Sequence, residues 1–186
     1  MVKDRSCLMQ IFTIGHSNHT KERFLDLLTT AKIEVLVDVR STPNSRWATF
    51  ANRDSLKEIL ESVQIRHIYL GDMLGGRPSD SDSYDRQTGE ADYQAIRERK
   101  YFQRGIRRLM DGLKRYRVCI MCAEENPTSC HRNLLVAESL RNVGVQVFHI
   151  RGDGRIQTDE DLWKEKIGRG ADAPFRRPKV QSDRII

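Results

Sequence analysis

The reactive side chains of this sequence are concentrated in one short stretch, which begins at Cys122 and ends at Arg132. These eleven residues include two thiols, two carboxylates, one imidazole and one guanidinium. The apolar residues 118–121 directly before them predict a short buried β-strand. In parallel α/β sheets, ligands bind beyond the carboxyl ends of the strands. The stretch is therefore the first candidate for a functional site.

Cys122 stands at the end of the predicted strand, where its thiol can face a cleft. A thiolate forms near neutral pH when a helix N-terminus or a cation lies close to the sulfur. The helix predicted to begin near Cys130 could supply the first, and Arg40 or Arg132 the second. Cys122 is therefore a candidate nucleophile, and packing at a tight strand end is the alternative.

Two adjacent carboxylates, Glu124 and Glu125, follow the strand. Neighbours in a loop rarely share one environment, so we expect one to face the cleft and the other to face solvent. An inward carboxylate can act as a general acid or base, or bind a ribose hydroxyl. We assign this role to Glu124, with a solvated position or a salt bridge to Arg132 as the alternative.

The residues from Cys130 to Arg132 open a predicted helix, with Ser129 as its N-cap. Free backbone N–H groups at a helix start attract anions, and the side chains of His131 and Arg132 add charge-assisted hydrogen bonds. This segment therefore predicts an anion-binding site.

The turns after the first two predicted strands carry His16 and Arg40, and we expect them to converge on the same space. A structural pair of Asp38 with Arg40 or with His16 is the alternative. The candidate catalytic residues are Glu124, Cys122 and His16, and the candidate ligand-binding residues are Ser17, Asn18, Arg40, Ser41, Cys130, His131 and Arg132.

The cysteines at 119, 122 and 130, together with His131, suggest a zinc site at first sight. If residues 118–122 form a strand, however, Cys119 and Cys122 point to opposite faces. A structural zinc site places such a pair of cysteines in a tight turn. The sequence therefore predicts no metal and no cofactor, and Cys119 is expected to be buried and unreactive.

Composition and charge restrict the classes of function. The chain has 186 residues and a formal net charge of +6, with 32 Lys and Arg against 26 Asp and Glu. The charge is compatible with a polyanionic partner, so nucleic acid is a candidate beside a smaller phosphate-bearing ligand. The four cysteines are bunched rather than spaced as a disulfide framework, which indicates a cytoplasmic protein with reduced thiols. No apolar run is long enough to predict a membrane span.

Apolar segments with strand and helix character alternate along the chain. The predicted strands are residues 10–15, 33–39, 65–70, 118–122 and 145–150. The predicted helices are residues 20–31 with Asn18 or Thr20 as cap, 55–63 with Asp54 as cap, 92–116, 132–142, and a last helix capped by Thr158 that ends at 167. Residues 71–90 show no packed pattern and are expected to form a lid or surface loop.

This order predicts an α/β fold, a three-layer Rossmann-like sandwich with a mostly parallel sheet of about five strands. Residues 1–154 are expected to form a single α/β domain, and residues 155–186 a C-terminal helix and an extended basic tail.

Four segments, residues 13–18, 36–43, 74–78 and 121–132, are similar to the bacterial and archaeal family called domain of unknown function 488. The likeness extends over residues 11–154 and implies a small cytoplasmic α/β protein with a site at these segments. A weaker layout similarity, carried by residues 37–41, Cys122 and residues 147–152, is to rhodanese-type sulfurtransferases. That resemblance implies a persulfide carried on Cys122.

We therefore expect an enzyme that acts on a phosphate-bearing, nucleotide-like ligand, with cleavage of a glycosidic bond as the more concrete reaction. Arg40 and Arg132 would hold the anion, and Glu124 would act as acid or base. One alternative is thiol or persulfide chemistry at Cys122. The other is a binding module without catalysis that holds a nucleotide or nucleic acid.

Overall fold

The computed structural model describes residues 9–167, which form a six-stranded sheet with helices packed on both faces. The strands are β1 (Gln10–Gly15), β2 (Val35–Asp38), β3 (Arg66–Tyr69), β4 (Val118–Cys122), β5 (Gln146–Ile150) and β6 (Ile156–Thr158). Their order across the sheet is β3-β2-β4-β1-β5-β6, in which the first five run parallel and β6 is antiparallel to β5. The predicted Rossmann-like sandwich with a mostly parallel sheet is confirmed.

Helices cover this sheet from two sides. They are α1 (Lys21–Thr30), α2 (Arg53–Glu61), α3 (Gly71–Leu74), α4 (Tyr93–Glu98), α5 (Lys100–Leu113), α6 (Glu138–Arg141), which continues a π-helical segment (Arg132–Ala137), and α7 (Asp159–Ile167). The buried residues of α1 and α2 form one core with the sheet, and those of α5 and the π-helical segment form the other. Within the described residues, no helix combines the length and apolar character that crossing a bilayer requires.

Alternation along β4 separates the two cores. Val118 and Ile120 pack in the core that contains α5, whereas Cys119 and Met121 pack in the core that contains α1 and α2. Cys119 is completely buried, and burial raises its pKa well above the ordinary thiol value. The predicted burial of Cys119 on the face opposite to Cys122 is confirmed, whereas its lack of reactivity stays a prediction.

The helix predicted over residues 92–116 is interrupted, so the prediction of one continuous helix is wrong. Arg99 has an extended backbone with φ −71° and ψ 135°, and it separates α4 from α5. Its guanidinium lies 3.5 Å from Asp80 and 3.7 Å from Asp82 in the preceding segment. The spacing of the apolar residues shows only which residues face the core. It stays close to 3.6 residues across the break, so it does not reveal a local change in the backbone angles.

Residues 71–90 pack against the rest of the protein through buried residues such as Leu74, although their sequence shows no periodic pattern, and their role as a lid stays a prediction. They contain α3 and a 3-10 turn (Ser81–Ser83), and a single bridge pairs Tyr84 with Ala91. The hydroxyl of Tyr84 donates to the carbonyl of Pro78 at 2.7 Å, and the buried Ser83 donates to Asp80 at 2.7 Å. Side chains rather than periodic apolar residues hold this segment, so no sequence period revealed it.

Two of the predicted helix caps differ from the structure. Asn52, not Asp54, precedes α2, and its side chain accepts from the backbone N–H of Ser45 instead of capping the helix. Ser129 belongs to a 3-10 turn (Pro127–Ser129), and the residue before the π-helical segment is His131, which makes no capping bond. The predicted caps at Thr20 and Thr158 are present.

The strand β6 was not predicted, because three residues are too few to give a period of two. The domain boundary predicted after residue 154 lies just before this strand. The following helix α7 packs its Leu162 into the protein interior. The basic tail predicted for residues 168–186 lies outside the described residues.

Candidate functional site

The carboxyl ends of β2, β4 and β1 lie side by side and bring the predicted site residues together. Gly15 is the register partner of Cys122, and Asp38 that of Met121. Beyond the strands, the backbone N–H of His16 donates to the carbonyl of Cys122 at 3.0 Å. The turns that carry His16, Arg40 and Cys122 are therefore neighbours, as the order of elements predicted.

The loop after β4 is held against the sheet by Arg132, which is 1% exposed. Its guanidinium donates to the backbone carbonyls of Glu124 and Glu125, and its Nε donates to Thr13 Oγ1 at 3.4 Å. A Cβ at Gly15 would lie only 1.9 Å from the carbonyl oxygen of Glu124, so the loop can cross here only over a glycine. Arg132 thus positions the loop.

The two adjacent glutamates have different surroundings, but not in the predicted way, because Glu124 is itself exposed and Glu125, expected to face solvent, is held in an ion pair. Glu125 forms a bidentate salt bridge with Arg151, with N–O distances of 2.8 and 3.0 Å, and accepts from the backbone of Gly152. Glu124 instead turns its Oε2 toward two thiols, 3.0 Å from Cys122 Sγ and 3.1 Å from Cys130 Sγ. Glu125 therefore fastens the loop to the end of β5, and Glu124 belongs to the reactive cluster.

His131 completes this cluster. Its Nδ1 lies 3.5 Å from Cys122 Sγ, and its Nε2 lies 2.9 Å from the backbone carbonyl of Val39. A carbonyl only accepts, so Nε2 carries the proton of this bond. We call Cys122, Glu124, Cys130 and His131 the thiol–carboxylate cluster.

The electrostatics of the cluster follow from these contacts. Partial burial raises the pKa of Glu124, but hydrogen bonds from the thiols of Cys122 and Cys130 and from its own backbone N–H outweigh burial and lower the pKa to about 2. Burial lowers the pKa of His131, yet contact with Cys130 and the carbonyl of Val39 raise it by more. Hydrogen bonding with Cys122 and burial both raise the pKa of Cys130.

Arg40 is engaged within the protein. It forms a bidentate ion pair with the fully buried Asp38, with N–O distances of 2.6 and 2.9 Å, and donates to the carbonyl of Ala51 at 2.6 Å. Its Nη1 also donates to His16 Nε2 at 3.2 Å. The alternative of a structural Asp38–Arg40 pair is therefore present, and anion binding by Arg40 or Arg132 stays a prediction.

His16 is buried and uses both ring nitrogens. Nε2 accepts from Arg40, so Nδ1 carries the proton and donates to the carbonyl of Ser17 at 3.2 Å. Burial, followed by the charge of Arg40, lowers the pKa of His16. The ring is therefore neutral near pH 7, and its catalytic role stays a prediction.

The other predicted ligand-binding residues lie around the same edge. Ser17 has a left-handed backbone with φ 41°, and its N–H donates to the carbonyl of Ala123 at 2.8 Å. Asn18 is exposed, and Thr20 rather than Asn18 caps α1. Ser41 accepts through Oγ from the backbone N–H of Arg77 at 2.9 Å.

Three residues near this edge were missed by sequence reasoning. Tyr93 lies close enough to the cluster that, after burial, the charges of Cys130, Cys122 and Glu124 raise its pKa. Arg77 is exposed, and its charge acts on the same Tyr93. Trp47 is 94% exposed in the loop after β2.

The signal for Arg77 was the glycine pair before it. A Cβ at Gly75 would lie 2.3 Å from Ser41 Oγ, and a Cβ at Gly76 would lie 2.7 Å from the side chain of His131. These glycines let the segment pack directly on the cluster. For Trp47 and Tyr93, neither spacing nor neighbouring residues distinguished them from ordinary aromatic positions.

Comparison with known proteins decides the family. Residues 20–139 match the model of the family described as Domain of unknown function DUF488, over well more than half of the chain. The chain belongs to this family. The DUF488 match includes Arg40, the two glycines before Arg77 and the whole thiol–carboxylate cluster, while His16 lies before it. No curated protein and no solved structure matches the chain. The likeness to rhodanese-type sulfurtransferases stays a prediction.

A buried polar chain supports Arg132 from behind. Thr13 Oγ1 lies 2.8 Å from His149 Nδ1, and His149 Nε2 lies 3.0 Å from Asp159 Oδ1. Because the carboxylate only accepts, Nε2 carries the proton, and Nδ1 accepts from the hydroxyl of Thr13. The Thr13 oxygen in turn accepts from Arg132. The first turn of α7 is thus connected to the loop that carries Glu124.

We expect the stability of the protein to fall on acidification because of His149. Burial lowers its pKa, and the charges of Arg132 and Arg141 add to this, against the opposing effect of Asp159. As the pH falls below the unfolded pKa of about 6.5, His149 binds a proton in the unfolded chain more readily than in the folded protein. The contribution of neutral His149 to stability is therefore complete above that pH and is lost as the pH falls toward the lower folded pKa. Thermal unfolding of wild type at about pH 7.5 and about pH 5.5 measures the loss.

The variant His149→Gln provides the control for this prediction. At the higher of the two pH values, its melting temperature is below that of wild type. Between the two pH values, however, its melting temperature falls by less than that of wild type. An identical decrease in both proteins would show that His149 does not titrate in this range.

Proposed function

We propose that the protein is a cytoplasmic hydrolase that acts on a phosphate-bearing, nucleotide-like ligand. The observation that carries the proposal is the placement of the Glu124 carboxylate, which two thiols hold at the carboxyl edge of the sheet. That edge is where parallel α/β folds bind ligands. With its pKa lowered to about 2, Glu124 is ionised near neutral pH, so its carboxylate is available as a proton acceptor, and loss of the thiol hydrogen bonds on ligand binding would make it a stronger base.

The surroundings of the cluster support a ligand with a base and a phosphate. Trp47 is exposed in a loop whose Phe50 packs edge-on against His16, with ring centroids 6.4 Å apart. An exposed indole is a stacking surface for a nucleobase. The exposed guanidiniums of Arg46 and Arg77 can pair with phosphate oxygens. Anion binding by Arg40 and Arg132 stays a prediction beside this one, since both guanidiniums already bind backbone carbonyls.

In the proposed reaction, Glu124 takes a proton from a water molecule as the water oxygen bonds to an electrophilic carbon of the ligand. The bond from that carbon to the leaving group breaks, and the proton passes from Glu124 to the leaving group. At a glycosidic bond the products are a free base and a sugar hydroxyl. Glu125 is bound to Arg151, so a single carboxylate serves both proton transfers.

The substitution Glu124→Gln tests this function, because it keeps the shape of the side chain and removes its basicity. We expect turnover to fall by roughly a hundredfold or more, whereas ligand binding is retained. The assay follows the release of free base from nucleotides and short oligonucleotides by chromatography. Glu58→Gln, on the exposed face of α2, is the matched control and should keep wild-type activity.

Two outcomes would contradict the proposal. Full activity of Glu124→Gln would remove the carboxylate from the mechanism. Tight binding of nucleotides by wild type without turnover of any of them would instead identify a binding module. The salt dependence of oligonucleotide binding reports phosphate contacts, because each contact that releases a counterion steepens it.

A second candidate function is persulfide transfer at Cys122, favoured by the 3.5 Å separation of its Sγ from His131 Nδ1. The Cys122 thiolate would attack the outer sulfur of thiosulfate, form a persulfide and release sulfite. Cys122 is only 3% exposed and its thiol is engaged with Glu124, which opposes the approach of thiosulfate to the sulfur. Thiosulfate turnover that survives in Cys122→Ser would exclude this candidate.

A further inference from the structure

We propose that Cys122, Cys130 and His131 bind a zinc ion. The two Sγ atoms and the imidazole nitrogen of these residues all lie within 4.8 Å of one another. In a tetrahedral zinc site, bond lengths of about 2.3 Å to sulfur and about 2.0 Å to nitrogen place the ligand atoms about 3.3–3.8 Å apart. The separation of 3.5 Å between Cys122 Sγ and His131 Nδ1 already has this value.

The two cysteines of the proposed site are not the pair Cys119 and Cys122, on which the prediction of no metal was based. Cys119 lies on the opposite face of β4 and cannot join Cys122, as expected. The loop after β4, however, returns Cys130 to the end of the strand, where both thiols contact the same oxygen of Glu124. The ligand set is therefore formed by a strand end and the start of a helix, not by two cysteines of one tight turn.

His131 is oriented as a metal ligand. Its Nε2–H donates to the backbone carbonyl of Val39, which fixes the ring and leaves Nδ1 directed at Cys122. Metal-binding histidines usually donate their other ring N–H to a carbonyl or carboxylate in this way. Gly76 packs against the other side of the ring, where a Cβ would lie 2.7 Å from His131 Cβ. The ring is thus held between β2 and the segment before Arg77.

The loop that carries the ligands is also held rigidly. Asn126 accepts through its side chain from the backbone N–H of Thr128 and caps the short turn before Cys130. Arg132 fixes the carbonyls of Glu124 and Glu125. A preformed set of ligands binds a cation without the cost of ordering the loop.

The chemistry of the donors calls for a cation of the zinc class. The Sγ atoms of Cys122 and Cys130 both contact the same carboxylate oxygen of Glu124. The buried guanidiniums of Arg40 and Arg132 bind backbone carbonyls instead and do not neutralise this group. Thiolates with an imidazole select zinc over magnesium or calcium, which prefer oxygen ligands. Zinc would displace the two thiol protons and would balance the charge of the resulting thiolates.

The use of this cation rests on the proposed function. Three protein ligands leave a fourth position for water, as in catalytic zinc sites. Glu124, which contacts both of these sulfur atoms, would lie near such a water molecule and could accept its proton, which zinc would make more acidic. Two cysteines and a histidine with a nearby glutamate form the donor set of zinc-dependent nucleobase deaminases, which also act on nucleotide-like substrates.

Metal analysis of the full-length chain tests the site independently of activity. The protein is purified without chelators under reducing conditions and its zinc content is measured by mass spectrometry. We expect about one zinc per chain. After removal of zinc, titration with Co²⁺ should produce the near-ultraviolet sulfur-to-cobalt absorption and the visible bands of a tetrahedral site.

Matched variants locate the ligands. Loss of a residue that only hydrogen-bonds to a metal ligand lowers metal affinity by roughly 10- to 100-fold. Cys130→Ser and His131→Gln each remove a ligand itself, so each should lower zinc affinity by more than this. Cys119→Ala, which removes a thiol on the other face of β4, should keep zinc. Glu124→Gln should also keep zinc while turnover is lost, because Glu124 acts on the water.

Three results would overturn the zinc site. The first is a wild-type protein that has neither bound zinc nor a cobalt–sulfur absorption. The second is zinc retained in Cys130→Ser. The third is a disulfide between Cys122 and Cys130 that persists in the presence of the reductant. If Cys130→Ser does not fold, the cobalt spectrum of wild type still decides the presence of sulfur ligands. Zinc bound without hydrolysis refutes only the proposed function, and hydrolysis without zinc refutes only the zinc site.

Discussion

The substitution Arg132→Met is expected to lower the free energy of unfolding by about 3–5 kcal/mol. The guanidinium is buried and donates to the carbonyls of Glu124 and Glu125 and to Thr13. Methionine fills similar space but donates no hydrogen bond, so three acceptors lose a charged partner. Each such bond contributes about 1.5–3 kcal/mol, and partial access of water to the loop limits the total.

Urea denaturation followed by circular dichroism measures this loss. Arg104→Met is the matched control, because Arg104 is exposed on α5, and its effect should stay within about 0.5 kcal/mol. The zinc content of Arg132→Met should fall as well, since the released loop no longer holds Cys130 near Cys122. A variant as stable as the control would show that Arg132 does not fasten the loop.

The second large effect is expected for Asp38→Asn, which should cost about 3–5 kcal/mol of unfolding free energy. Asp38 is fully buried and pairs with Arg40 at 2.6 and 2.9 Å. An asparagine leaves the buried guanidinium without a counter-charge, and the uncompensated charge accounts for most of the cost. The same denaturation measurement applies.

Two comparisons make this prediction specific. The surface pair of Asp111 and Lys114 has a similar distance of 2.8 Å, yet it is exposed, so Asp111→Asn should lower the stability far less than Asp38→Asn does. The double variant Asp38→Leu with Arg40→Met should lose less stability than Asp38→Asn alone, because no buried charge is left unpaired. Equal losses for the buried and exposed pairs would contradict the argument.

Much of the fold could be predicted because its signals are local. Buried parallel strands such as β4 are continuous apolar runs, and β1 was predicted with its observed bounds. The alternation of strands and helices then requires right-handed crossovers and a mostly parallel sheet. The break at Arg99 was not predictable, because it accompanies ion pairs of Arg99 with Asp80 and Asp82 in another segment. Strand β6 was not predictable, because three residues are too few to show an alternating pattern.

The candidate site was located from its position in the chain, because carboxyl ends of parallel strands meet at one edge. Which way each side chain points was not predictable. His131 reaches Val39, which is 92 residues away in sequence, and Arg132 reaches Thr13, which is 119 residues away. The sequence suggested Arg132 as an anion ligand, which stays a prediction, but it did not reveal that Arg132 binds the carbonyls of Glu124 and Glu125.

The sequence by itself thus determined the layered architecture and the neighbourhood of Cys122, Glu124 and His131, since periodicity and chain order are properties of consecutive residues. Tertiary structure alone decided that Cys130 returns to the strand end and that the two buried arginines face inward. The physical reason is that a buried donor must find an acceptor. The partner that satisfies it is set by the packing of distant strands and loops, which no local pattern records.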